Sequence, residues 1–142
     1  MVTSSPSYVR LVRASAWYDL VVTAGFMTPW TYPLLADALS LGGGPTGPMT
    51  VLYANLMGSV VMVWALLRAV RPLPLYGLFD GVARALFASW QAYALAHGGP
   101  RVLWAFLAVE AVLGVVQLAP WLRRKALRNL SGNPLRTRPE TP

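Results

Sequence analysis

Leu75 to Ala96 reads LYGLFDGVARALFASWQAYALA. A helix rises 1.5 Å per residue and the hydrocarbon core of a bilayer is about 30 Å thick, so about 20 mostly apolar residues cross it. This stretch has that length, and Asp80 and Arg84 are its only charged residues. Four residues apart, they share one helical face. A charge at the centre of a bilayer costs at least about 2.5 kcal/mol, so that face turns away from lipid. The stretch therefore implies a bundle of membrane helices with a polar interior.

Three further windows have the same character: about Ala16 to Ala36, Met49 to Ala69, and Val102 to Leu122. The expected fold is an all-α integral membrane four-helix bundle made of two antiparallel helical hairpins. Its spans fall at about 16–36, 49–69, 75–96 and 102–122, with a cytoplasmic N-terminal segment over 1–15 and a basic cytoplasmic tail over 123–142. The connections are short and rich in glycine and proline: Ser40 to Pro48 (SLGGGPTGP), Arg71-Pro72-Leu73-Pro74 and His97-Gly98-Gly99-Pro100.

Composition points the same way. Of 142 residues, 56% are hydrophobic and 12% charged, about half the charged share of an ordinary soluble domain. The net charge of +7 would suggest nucleic acid in a soluble chain. Here the bases stand at the edges of apolar runs, and no nucleic-acid partner is expected. With no cysteine and one histidine, disulfides, thiolate metal sites and multi-histidine centres are excluded. No cofactor or metal is expected.

Lys and Arg are retained on the cytoplasmic side of a membrane. Arg10 and Arg13, Arg68 and Arg71, and then Arg123, Arg124, Lys125, Arg128, Arg136 and Arg138 fall on one side, against Arg101 alone on the other. Both termini are therefore expected in the cytoplasm. Arg123, Arg124, Lys125 and Arg128 are expected to contact lipid headgroups of an anionic inner leaflet, each contributing about 1 kcal/mol. Trp17, Tyr18, Tyr76 and Trp121 read as aromatic anchors at the inner interface, Tyr53 and Trp104 at the outer one.

Each window also carries a polar stripe at i, i+4, i+7, i+11. These are Asp19, Thr23, Phe26 and Trp30 in the first; Asn55, Ser59, Met62 and Leu66 in the second; Asp80, Arg84, Phe87 and Gln91 in the third; and Glu110, Gly114, Gln117 and Trp121 in the fourth. Counting along the helices puts Arg84 roughly 13 Å and Glu110 roughly 18 Å deep, a gap that an arginine side chain bridges. Asp80 and Asp19 compete for the same guanidinium, which gives three acids and one base. Candidate ligand-binding or proton-relay residues are Asp19, Thr23, Asn55, Asp80, Arg84, Glu110 and Gln117. The plain alternative is a buried ion pair that only fixes helix register.

Three packing features accompany the stripes. Gly77, Gly81, Ala85 and Ser89 make a small-residue seam on the third window, either within the bundle or between two copies. Pro29 and Pro33 should kink or unwind the outer half of the first, with Thr28 and Thr31 capping the freed carbonyls. Shifting the first window by 61 residues aligns Asp19 with Asp80 and Phe26 with Phe87, consistent with a duplicated hairpin.

This layout, together with Ala54 to Arg68 (ANLMGSVVMVWALLR), resembles small bacterial membrane proteins of the DoxX-like and EXPERA-like kind. The resemblance implies a bacterial inner-membrane location and carries over no catalytic residue. Three functions stay open. One is a binding or accessory subunit for a lipophilic ligand or a larger membrane complex, with a homodimer as a further expected partner. The second is a proton-coupled transporter of small solutes. The third is a membrane isomerase, disfavoured because no nucleophile stands with a base.

Overall fold

A computed structural model of the chain describes residues 5–41 and 47–131. Residues 1–4, the glycine-rich segment 42–46 and residues 132–142, with Arg136 and Arg138, lie outside the described residues. Every described element is helical: α1 (Pro6–Thr23), a 3-10 turn (Ala24–Phe26), α2 (Thr31–Ala38), α3 (Pro48–Val70), α4 (Pro74–Ala96) and α5 (Leu103–Ser131).

Prolines start three of these helices. They sit in the first turn of α1, α3 and α4, where the missing N–H has no intrahelical partner anyway. Ser5 caps α1, its Oγ accepting from the Tyr8 N–H at 3.2 Å. At the end of α4, Gly98 takes a left-handed φ of 83° and the Gly99 N–H donates to the Ala94 carbonyl at 2.8 Å.

The first apolar window does not form one helix. α1 begins at Pro6 rather than near Ala16 and ends at Thr23, and helix resumes at Thr31. Pro29 has no N–H to donate and its ring clashes with the preceding turn, so regular helix cannot pass through it. Thr28 Oγ1 accepts from the Thr31 N–H at 3.1 Å, and Thr31 Oγ1 donates to the Thr28 carbonyl at 3.3 Å. Asn55 completes the repair from α3: with its –NH2 turned toward them, it donates to the carbonyls of Phe26 (3.0 Å) and Thr28 (3.2 Å). The break also lies against α3 at Gly58, where a Cβ would come within 2.7 Å of the Phe26 carbonyl.

α1 packs chiefly along α3, and α4 chiefly along α5. Asp19 meets Arg68 while Phe26 meets Gly58, which makes α1 and α3 antiparallel. Arg84 meets Glu110 while Gly81 meets Leu118, and α4 and α5 are antiparallel by the same reasoning. α1 ties the two pairs together: Ser15 donates to Asp80 on α4 at 2.8 Å, and Tyr8 to the Gln117 carbonyl on α5 at 2.9 Å. The small-residue seam of α4 divides between two neighbours. A Cβ on Gly77 would meet the Tyr8 hydroxyl at 2.5 Å, and one on Gly81 would meet Leu118 at 2.7 Å, while Ala85 and Ser89 are exposed.

Burial is inverted relative to a soluble fold. The buried apolar side chains are few: Tyr8, Val12, Ala16, Tyr32, Ala36 and Ala65. Ser15, Asp19, Thr23, Arg68, Asp80, Arg84, Glu110 and Gln117 are buried beside them, whereas Val21, Val60, Val70 and Trp90 are largely exposed. On α3 the inward face is Gly58, Ala65 and Arg68, not the expected Asn55, Ser59, Met62 and Leu66; Ser59 and Leu66 face outward. Small residues let α3 approach α1 closely and turn the helix accordingly. Two helices, Pro48–Val70 and Leu103–Asn129, are long and apolar enough to cross a membrane.

Candidate functional site

Five charged side chains from four helices meet in the interior. Asp19 comes from α1, Arg68 from α3, Asp80 and Arg84 from α4, and Glu110 from α5. Arg84 reaches all three acids: Nε to Asp80 Oδ2 at 3.1 Å, Nη2 to Asp19 Oδ1 at 2.8 Å, and Nη1 to Glu110 Oε2 at 2.8 Å. The planar guanidinium spreads its donors in a fork, which a lysine could not do. Arg68 pairs with Asp19 through Nη2 and with Asp80 through Nη1 at 2.6 Å.

Neutral groups finish the network. Ser15 Oγ donates to Asp80 Oδ2 and accepts from Arg68 Nη1 at 2.9 Å. Gln117 Nε2 lies 2.7 Å from Asp80 Oδ2 and 2.9 Å from Ser15 Oγ. Trp64 Nε1 reaches Asp80 Oδ1 at 3.4 Å, and the Trp64 ring lies 5.5 Å from the Arg68 guanidinium. Tyr18 lies similarly under Arg84, at 5.8 Å. Below the network, Trp121 Nε1 donates to the Tyr8 hydroxyl at 3.0 Å. Tyr18 and Trp121, expected as interfacial anchors, thus take part in interior contacts. Among the described residues, three buried polar atoms are left without a partner: Arg68 Nε, Gln91 Oε1 and Gln117 Oε1.

A cavity of about 500 Å³ opens next to this cluster. Its lining includes Asp19, Thr23, Gln91 and Glu110 among apolar and aromatic walls from Phe26, Val61, Phe87, Trp90 and Phe106. Trp90 is 66% exposed, so the cavity reaches the outer surface of the bundle. A groove of about 460 Å³, bounded by Ala14, Tyr18, Val109 and Val112, offers almost no polar group.

The structure brings Asp19, Asp80, Arg84, Glu110 and Gln117 together and puts Thr23 in the cavity wall. It separates Asn55, which serves the helix break. Arg123, Arg124, Lys125 and Arg128 lie on α5, which stays helical well past Leu122. Arg68 is the largest departure from expectation. Read as a cytoplasmic turn residue, it is fully buried and is the second base of the cluster. Nothing in its immediate neighbours sets it apart from Arg71. The signal lay in the spacing from Gly58 and Ala65, ten and three residues earlier, which puts Arg68 on the close-packing face of α3. Ser15 was hidden in the same way, because Arg10 and Arg13 made the region before Ala16 read as a surface segment.

Three carboxylates against two guanidiniums leave one negative charge in excess. Such a network can hold helices in register, and its unmatched acid can attract a cation or a proton-bearing group. The described residues hold no group of three His, Cys, Asp or Glu able to bind a metal ion. No family model matches the sequence, and no curated protein or solved structure matches it either, so nothing beyond the layout and the segment Ala54 to Arg68 supports the DoxX-like and EXPERA-like resemblance.

Proposed function

We propose that this chain is a small multi-span protein of a cytoplasmic membrane that holds an amphipathic ligand in the cavity beside its ionic cluster. In this reading α1 and α2 together make one broken crossing, α3, α4 and α5 make three more, and both termini lie in the cytoplasm. The inverted burial supports it: large apolar side chains face outward, where acyl chains would cover them, and charges face inward. A helix break at membrane depth is tolerable where neighbouring groups take up the freed carbonyls, as Thr31 and Asn55 do here.

The observation that carries the ligand reading is the cavity itself. Its volume of about 500 Å³ suits a small molecule, and its walls are apolar and aromatic with a few polar groups among them. A register-fixing ion network needs no such space beside it. Native mass spectrometry of protein released gently from membranes should show a stoichiometric small-molecule adduct. Val61→Phe, which fills the cavity wall, should lose that adduct while the helical content measured by circular dichroism stays unchanged. Wild-type protein that is ligand-free from every membrane source tested would sink the proposal. The chain has no cysteine, so single introduced cysteines near Arg10 and Lys125 report sidedness cleanly; labelling from opposite faces would sink the topology.

A further inference from the structure

The cavity is unequally provided with donors and acceptors, and this bears on what enters it. Asp19 gives both oxygens to Arg84 Nη2, each at 2.8 Å, and also pairs with Arg68. Asp80 receives Arg68, Arg84, Ser15, Gln117 and Trp64. Glu110 makes one pair, through Oε2, and among the described residues its other oxygen has no hydrogen bond. It is 8% exposed, and the space it faces includes the cavity. The excess negative charge of the cluster is therefore least compensated at Glu110.

Gln91 supplies an independent observation. Its Oε1 is buried without a partner, and the residue lines the same cavity from α4. The free carboxylate oxygen of Glu110 thus borders a space whose aromatic walls include Phe87, Trp90 and Phe106, with Gln91 Oε1 buried in its wall. An anion would meet the excess negative charge. A neutral alcohol would satisfy one acceptor and leave the charge uncompensated. A quaternary ammonium would answer the charge but offer no N–H. A primary ammonium answers both, and aromatic faces favour a cation as well.

We infer that the ligand of this cavity carries a primary ammonium group on an apolar body, the ammonium seated against Glu110. The inference rests on the ligand reading proposed above. The same chemistry has two sources, a free long-chain amine or an aminophospholipid headgroup such as phosphatidylethanolamine.

The test uses full-length protein in phosphatidylcholine nanodiscs and follows the thermal unfolding midpoint, which rises with any ligand that binds the folded state. Dodecylamine should raise it, with an apparent affinity at least about tenfold above those of dodecanol and dodecanoate, as expected when a charge-assisted pair is present in one case and absent in the others. Dodecyltrimethylammonium should fall between. Glu110→Gln should abolish the preference for dodecylamine; it leaves two acids against two bases and keeps an acceptor for Arg84, so the fold is expected to survive. If that variant does not fold, Trp90→Leu serves instead and, by removing an aromatic face, should weaken dodecylamine more than dodecanol. Phosphatidylethanolamine at one lipid in ten should compete with dodecylamine if the lipid is the source, and leave it unaffected if the source is a free amine; either result keeps the ammonium assignment. Equal shifts from dodecanol and dodecylamine would overturn that assignment but leave the cavity reading standing. No shift from any amphiphile in wild type, or shifts in Val61→Phe equal to those of wild type, would overturn the cavity reading beneath it.

Discussion

Asp80 and Glu110 belong to one network and are both more than nine-tenths buried, yet five side chains converge on Asp80 and one on Glu110. Around Asp80 the helices are pinned: Gly77 and Gly81 bring α4 against α1 and α5, and Tyr8, Ser15 and Gln117 cross between them. Two groups are left over at this end, a donor at Arg68 Nε and an acceptor at Gln117 Oε1, and neither lines the cavity. Around Glu110 the helices separate, its second carboxylate oxygen has no hydrogen bond among the described residues, and Gln91 Oε1 is buried nearby without a partner. A single polar core thus contains a closed end dense in contacts and an open end with few, which under the proposed function is the end that has stability to gain from a ligand. An ionic cluster inside a helical bundle need not be satisfied uniformly, and the division here falls between two residues of the same cluster.

The comparison breaks most easily at the closed end. Arg68→Met leaves Asp19 and Asp80 to share Arg84 with Glu110, with three buried acids on one base. Removing one member of a buried ionic network costs about 3 to 5 kcal/mol, and that is the expected loss, measured by denaturant titration in detergent. Arg68→Lys keeps the charge without the fork and should recover part of it. A loss under about 1 kcal/mol would mean that Arg84 alone pins the helices, since small effects are the mark of sites outside such networks.

A smaller effect separates two glycines. Gly58 meets the Phe26 backbone, which has no flexible end to move, and Gly58→Ala should cost about 1 to 3 kcal/mol by overpacking. At Gly114 an added Cβ would rest 3.4 Å from the Arg84 Cβ, an ordinary contact, and Gly114→Ala should be neutral or should stabilise by up to about 1 kcal/mol through helix propensity. Equal melting shifts for the two would show that the break does not lean on α3.

These contrasts mark what the linear pattern carried. Asp80 and Arg84 at i, i+4, and Glu110 and Gln117 at i, i+7, placed themselves, because a charged group inside an apolar helix has one direction to turn. The unwinding at Pro29 was legible for a similar reason: the missing N–H is a property of the residue itself. Arg68 was not legible, because an arginine at the end of an apolar run reads as interfacial unless its partners are known, and Asp19 and Asp80 lie 49 and 12 residues before and after it. Asn55 failed in the opposite direction. It looked like a member of the interior stripe, but the unwound carbonyls of Phe26 and Thr28 claimed its amide. The cavity was beyond the sequence altogether, since an empty volume follows from where four helices part and not from any one face.

The smallest expected effect carries the opposite sign and sharpens the contrast most. Gln91→Leu keeps the side-chain volume and removes a buried acceptor that has no partner. An unsatisfied group of that kind destabilises the folded state, so its replacement should leave the ligand-free protein unchanged or more stable, by no more than about 1 kcal/mol. Asp80→Asn removes a group with five partners and should destabilise by several times that amount. The open end would then resemble other binding sites, where polar groups are kept at some cost to stability because a ligand completes them. If Gln91→Leu instead destabilised the bundle by an amount near that of Asp80→Asn, Gln91 would have a structural partner, and the two ends of the core would not differ in kind. Matched unfolding titrations of the two variants, in the same detergent, decide between these outcomes.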